Sequence, residues 1–293
     1  MDIEGIYCPV TTPFVDDRIA TDKLAGNLEK WDSLQLTGYV LLGSTGETPL
    51  LTLEEKIELI RAVCSSLPKE KQLIVGTGLE STSETIEFAR RVAEPEVDAV
   101  LVLTPNYYEQ QMNERVLRHH FVSVAEDSPL PLILYNVPPF TGVDMPAELI
   151  AELSGHPNIV GIKDSTTNFG KWVELMKLSS PNFKVLLGNA TVFLPGLFMG
   201  ADGAILAICN IVAKECVQIY DYFEQGSFEQ ARQLFFRILP LITDVVTPYG
   251  VPAIKAAMDL LGYYGGPVRK PLLPADEALL ESIKLHLRKA ELI

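Results

Sequence analysis

Lys163 ends the apolar run Asn158-Ile159-Val160-Gly161-Ile162-Lys163, whose length and β-branched content predict a buried strand. Moving an ammonium out of water favours its neutral amine, and a neutral amine is a nucleophile that can form an imine with a carbonyl substrate. The competing reading ends the strand one residue early and makes Lys163 the first solvated residue of a loop. A second reactive group closes another apolar run, Pro131-Leu132-Ile133-Leu134-Tyr135. Tyrosines at strand ends commonly pack a core. Imine formation, however, passes protons through a carbinolamine, and a phenol one strand away from the amine could relay them. The two residues together say more than either alone.

Other segments offer weaker chemistry. Gly43-Ser44-Thr45-Gly46-Glu47-Thr48 follows a predicted strand as a small, hydroxyl-rich turn, either an ordinary tight turn or a place where N–H groups hold a carboxylate. It lacks the Gly-Lys-Ser/Thr ending of a phosphate-binding loop. Gly76-Thr77-Gly78-Leu79-Glu80-Ser81 imitates a dinucleotide fingerprint poorly: Ser81 stands for the third glycine, and Asp98 begins a strand instead of ending one. No nicotinamide cofactor is expected. His119 and His120 are adjacent on a helical segment and so point about 100° apart, while His156 and His286 are isolated. All four are expected to be partly exposed structural residues, and no metal is expected. Lys255, in Val251-Pro252-Ala253-Ile254-Lys255, is a rival amine, expected to lay its stem over apolar surface and release its charge into water.

The elements that must position these groups alternate regularly. Apolar runs predict strands over 5–10, 38–42, 72–76, 98–103, 131–135, 158–163, 183–187 and 203–208. Amphipathic stretches lie between them, among them Leu53 to Ser66 and Ser81 to Val92, each opened by a Ser/Thr-x-x-Glu capping box at Thr52 and Ser81. Eight strand–helix units with continuously apolar strands predict an α/β TIM (β/α)8 barrel, residues 1–225, whose chemistry belongs at the C-terminal strand ends. Beyond it, 226–293 reads as a three-helix extension packed on the barrel, with helices over 227–246, 251–261 and 275–292 after a closing helix at 214–225. The apolar stretch 192–213 holds Pro195, Gly196, Gly200, Asp202 and Gly203, which divide it into a short helix and a strand instead of a membrane span.

The chain has 293 residues, 24 basic against 38 acidic, for a net charge of −14. That balance argues against nucleic acid or an anionic membrane face as a partner. Four cysteines without a C-x-x-C pair, and an N-terminus without a basic-then-apolar leader, predict reduced thiols in a cytoplasmic protein.

With Gly43-Ser44-Thr45-Gly46-Glu47, Thr104-Pro105-Asn106-Tyr107-Tyr108, Tyr135-Asn136-Val137-Pro138 and Gly161-Ile162-Lys163-Asp164-Ser165 in this order, the chain resembles the dihydrodipicolinate synthase/N-acetylneuraminate lyase superfamily almost end to end. Lys163-Asp164-Ser165 and Gly262-Tyr263-Tyr264-Gly265-Gly266-Pro267 look most like its 4-hydroxy-2-oxoglutarate aldolase members. The resemblance implies a cofactor-free lyase, usually a homotetramer built as a dimer of dimers, that joins pyruvate to an aldehyde or cleaves such a product. Lys163 would carry the imine and Tyr135 the proton. Ser44 and Thr45 would hold the pyruvate carboxylate, and Thr45 and Tyr108 would extend the proton relay, Tyr108 arriving from a neighbouring subunit.

One departure separates substrates. Dihydrodipicolinate synthases of the usual pattern carry an arginine two residues after Tyr-Asn-Val-Pro, as a clamp for the carboxylate of aspartate semialdehyde, and here that residue is Phe140. A phenyl ring cannot replace a bidentate guanidinium; Ser165 and Asn189 are the nearest neutral candidates. The expectation is therefore a 4-hydroxy-2-oxoglutarate-type aldolase, with 4-hydroxy-tetrahydrodipicolinate synthase as the alternative. Sugar-acid lyases or dehydratases, and a barrel that senses a 2-oxo acid without turning it over, stand behind both.

Overall fold

The structure is a computed structural model that describes residues 3–293. Eight parallel strands close a barrel: β1 (Gly5–Pro9), β2 (Gly38–Leu41), β3 (Gln72–Gly76), β4 (Ala99–Leu103), β5 (Leu132–Asn136), β6 (Ile159–Asp164), β7 (Lys184–Leu187) and β8 (Gly203–Ile205). Each strand neighbours its successor in sequence, and β1 pairs with β2 at Cys8 opposite Tyr39. The strands are short and almost wholly buried. β4, Ala-Val-Leu-Val-Leu, and β5, Leu-Ile-Leu-Tyr-Asn, contain no exposed position.

Caps fix where the helices begin. α1 (Thr21–Asp32) and α2 (Leu53–Cys64) follow β1 and β2, and at α2 the expected capping box is complete between Thr52 and Glu55. α3 (Thr82–Arg91) uses only half of its box. Ser81 accepts from the Glu84 N–H, but the Glu84 carboxylate takes the Ser81 hydroxyl at 3.2 Å instead of a backbone N–H. α4 (Glu114–Asp127), α5 (Ala147–Leu153), α6 (Phe169–Leu178) and α7 (Phe193–Phe198) complete the alternation, with Asn113 and Asn168 capping α4 and α6. The stretch 192–213 divides as its glycines and proline predict, α7 then β8.

The chain falls into two compact units: residues through Gly5 with Gln72–Ile205, and Ile6–Lys71 with Leu206–Ile293. In the second, α8 (Cys209–Glu224) begins five residues before the expected start at 214, and β8 is correspondingly shorter than the expected 203–208. The Asn210 amide accounts for the early turn, donating to the carbonyls of Pro9 and Ala207 at 2.9 Å while its oxygen accepts from the Thr11 N–H. α9 (Phe228–Leu241) runs through one wide turn at 242–246 into α10 (Thr247–Leu260), and α11 (Glu277–Lys289) packs on α9 and α10. Helix 228–260 is long and apolar enough to cross a membrane by length and composition. Its apolar side chains Ala231, Leu234, Phe235, Ile238 and Leu241 are buried within the protein.

His120 corrects the reading of all four histidines as partly exposed. It is 4% exposed on α4, its Nδ1 2.9 Å from the Thr82 hydroxyl at the start of α3. Leu117 and Val124, three and four positions away, turn this face of α4 inward and carry the ring with them. Burial, helped by His119, pushes its pKa down to about 4. The unfolded chain therefore binds this proton first as pH falls, so the stability linked to His120 is complete above pH ~6.5 and is lost as pH drops toward ~4. We expect this site to remove about 2–3 kcal/mol of unfolding free energy between pH 7 and pH 4.5. Urea titrations of wild type and His120→Gln at both pH values measure it as the difference between the two proteins' pH dependences.

Candidate active site

β5 and β6 pair so that Tyr135 lies opposite Lys163 and Asn136 opposite Asp164. Side chains alternate along a strand, so Tyr135 and Lys163 share one face and Asn136 and Asp164 share the other. α6 covers the second face, where the Lys171 ammonium reaches Asp164. Lys163 therefore points away from the helix layer. It is 4% exposed and Tyr135 5%, and the Lys163 Nζ stands 4.3 Å from the centroid of the Tyr135 ring. The solvated-loop reading of Lys163 is thereby excluded.

Gly188, directly after β7, makes room for this arrangement and escaped the sequence reading. A Cβ there would collide with the Ser165 hydroxyl and come within 3.1 Å of the Lys163 Cε. Its N–H donates to the Asp164 carbonyl at 2.7 Å. The only signal in the sequence is a glycine closing a predicted strand, which many turns share. Ser165 is 8% exposed beside Gly188. Asn189 is half-buried and commits its side-chain oxygen to the Thr191 N–H and hydroxyl at 3.0 and 2.8 Å, so it serves first as a turn cap.

At the rim, Phe140 is 72% exposed on the single helical turn Pro138–Thr141. Tyr107 and Tyr108 are exposed as well, their rings meeting edge to face at 5.1 Å. The Glu80 carboxylate accepts from the N–H groups of Asn106 and Tyr107 and holds the loop that carries them.

In the other unit, Ser44–Gly46 forms one tight turn after β2, with Thr45 buried and Ser44 half-buried. The Thr12 hydroxyl donates to the Gly46 carbonyl at 2.7 Å and the Thr48 hydroxyl to that of Gly43 at 2.9 Å. The turn spends the N–H groups of Gly46 and Glu47 on its own carbonyls, leaving any ligand to the groups of Ser44 and Thr45 themselves. Glu47 ends it in the left-handed region at φ 56°, uncommon for a residue with a side chain.

An ion pair holds Glu47 there. Its carboxylate meets the Lys255 ammonium at 2.5 Å, both side chains at most 1% exposed, and its second oxygen accepts from the Arg269 N–H at 2.7 Å. Lys255 also donates to the carbonyls of Thr12 and Pro267, each at 2.8 Å. The expectation that Lys255 releases its charge into water is thus wrong: α10 buries this face, and Glu47 supplies the counter-charge. Burial lowers the Lys255 pKa, and Glu47 offsets part of that shift. The Gly262–Pro267 segment is likewise structural. Tyr263 stacks on Trp31 at 5.3 Å, and the Tyr264 main chain exchanges two hydrogen bonds with the Asn27 amide.

A parallel barrel with a lysine and a tyrosine buried side by side at adjacent strand ends fits a Schiff-base lyase. The model of the Dihydrodipicolinate synthetase family matches residues 2–290, and the chain belongs to that family. Over 277 residues it is 35% identical to the 4-hydroxy-tetrahydrodipicolinate synthase of Methanothrix thermoacetophila, covering 93% of this chain and 92% of the relative. Among solved structures, a dihydrodipicolinate synthase superposes with a TM-score of 0.93 at 32% identity, covering 99% of this chain and 100% of that one. A prophage protein of the same family from E. coli, crystallised in complex with pyruvate, gives 0.92 at 28% identity, with 99% of each chain covered.

Removing one partner of a buried ion pair leaves the other charge uncompensated, at a cost of about 3–5 kcal/mol. Lys255→Met is expected to lower stability by that amount in urea unfolding, with Lys255→Met/Glu47→Gln recovering part of the loss; equal stability of wild type and Lys255→Met would contradict the pairing.

Proposed function

We propose that this protein is a class I lyase that condenses pyruvate with an aldehyde through an imine at Lys163. The observation carrying the proposal is the buried Lys163 amine set 4.3 Å from the ring of an equally buried tyrosine. The amine attacks C2 of pyruvate, and loss of water gives the iminium. Loss of a C3 proton gives the enamine, whose C3 attacks the aldehyde carbonyl to make the new C–C bond. The resulting alkoxide takes a proton, and hydrolysis frees Lys163. Tyr135 is the group within reach to move these protons, in the forward and the cleaving direction alike. Ser44 and Thr45 hold the pyruvate carboxylate, and Thr45 and Tyr108 extend the relay. The exposure of the Tyr107–Tyr108 pair supports a homotetramer in which Tyr108 serves a neighbouring subunit's site.

For the aldehyde, the relatives favour aspartate semialdehyde, which makes the reaction that of a 4-hydroxy-tetrahydrodipicolinate synthase. Their names support the alternative from the sequence over the 4-hydroxy-2-oxoglutarate-type aldolase. Phe140 is the specific observation on the aldolase's side, because a ring 72% exposed at the rim offers no charge to a second carboxylate. Ser165, Asn189 and Phe140 are the residues of this chain that would meet the aldehyde portion.

Borohydride reduction in the presence of pyruvate is expected to add the mass of the reduced adduct to the Lys163 peptide alone, and Lys163→Ala to abolish both adduct and turnover. Tyr135→Phe should lower kcat about 100-fold or more with the adduct still formed slowly. Coupled assays of condensation with aspartate semialdehyde and of pyruvate release from 4-hydroxy-2-oxoglutarate decide between the two reactions. If the synthase reading holds, Phe140→Arg should lower the KM for the semialdehyde.

A further inference from the structure

The face of β5 and β6 turned away from the amine carries a closed polar network. Asp164 and Asn136 are fully buried and lie opposite each other in the strand register. The Asn136 amide donates to the Asp164 carboxylate at 3.0 Å and to that of Asp144 at 2.8 Å. Lys171, 8% exposed on α6, sets its ammonium 2.5 Å from the same Asp144 oxygen and 3.4 Å from Asp164. The remaining groups are used as well. The second Asp164 oxygen accepts from the Thr166 N–H at 2.7 Å, and the Asn136 oxygen from the Met145 N–H at 3.0 Å. Lys171 is itself fixed by the Asn168 cap, which accepts from its N–H.

Each strand member of this network is the chain neighbour of a residue on the amine's face, Asn136 of Tyr135 and Asp164 of Lys163. A strand that slides or rotates at Asp164 carries Lys163 with it. Asp164 also holds the glycine that makes room for the amine, through its carbonyl and the Gly188 N–H. A lone Asn136–Asp164 bond would leave a buried carboxylate without a counter-charge, a costly arrangement that would favour opening of the strand ends. The Lys171 ammonium removes that tendency and ties β6 to α6 and to the segment after β5.

We propose that Lys171 is a positioning residue for the imine chemistry. Through Asp164, Asn136 and Asp144 it locks the ends of β5 and β6 so that Lys163 and Tyr135 keep the spacing the reaction needs. The proposal rests on Lys163 as the imine lysine.

The test is the single-turnover rate of borohydride-trapped adduct formation with saturating pyruvate, together with steady-state kinetics well below the unfolding temperature, for Lys171→Met, Lys171→Arg and Asp144→Asn. Misplacing a reacting group by about an ångström can cost about 100-fold, so Lys171→Met is expected to slow trapping and kcat by about 10–100-fold while the KM for pyruvate changes little. Lys171→Arg, which keeps the charge, should recover most of the rate. Asp144→Asn, at a half-exposed position, should reduce trapping by a smaller factor and keeps the test decisive where Lys171→Met fails to fold. A purely structural role predicts lower melting temperatures with wild-type trapping rates, and that result in Asp144→Asn and in any folded Lys171→Met overturns the proposal. A label on a lysine other than Lys163 in the wild type overturns the imine assignment instead, and the positioning role with it. The site of labelling and the rate of labelling thus report the two failures separately.

Discussion

Removing an ammonium from water costs several kcal/mol, and this protein meets that cost in two different ways. Lys171 and Lys255 are buried against carboxylates, Asp144 and Asp164 for the first and Glu47 for the second. Lys163 is equally buried but faces the π cloud of Tyr135. A carboxylate partner stabilises the charged form and suits a lysine that holds parts together. An aromatic face offers weaker compensation and leaves the amine beside a group with which it can exchange protons. Burial by itself does not set Lys163 apart from Lys171 and Lys255; the identity of its neighbour does.

The barrel was legible because parallel strands buried on both faces must be apolar without interruption, and β4, β5 and β6 are. Lys163 and Tyr135 were legible for the same reason, since polar ends on such strands are conspicuous. Lys255 was misread because its own helix is amphipathic, and nothing in the residues around it announces a glutamate far upstream. Gly188 and Lys171 are silent in the sequence for a related reason. One matters for the atom it lacks next to Ser165 and Lys163, the other for contacts made across α6 and two strands. His120 shows the complementary error, where judging a histidine by type overlooked the inward helix face on which it lies. The expected 214 start of α8 failed because Asn210, a poor helix former inside a helix, acts here as a clamp between the first strand and the last.

Family membership rests on the chain as a whole, matched over residues 2–290. Relatives match it along nearly its whole length. Phe140, 72% exposed at the rim, stands where the resemblance leads one to expect an arginine. A ring at that position offers no charge to a carboxylate.

The unit that holds the Ser44–Thr45 turn is assembled from the two ends of the chain, and Glu47 takes the N–H of Arg269, 222 residues further on. During synthesis the strand, the turn and its left-handed glutamate therefore leave the ribosome long before the cation that holds them exists. At about 5–20 residues per second that interval is on the order of ten to forty seconds. The intervening segment Gln72–Ile205, with Lys163 and Tyr135, belongs to the other unit and has that interval in which to make its own contacts.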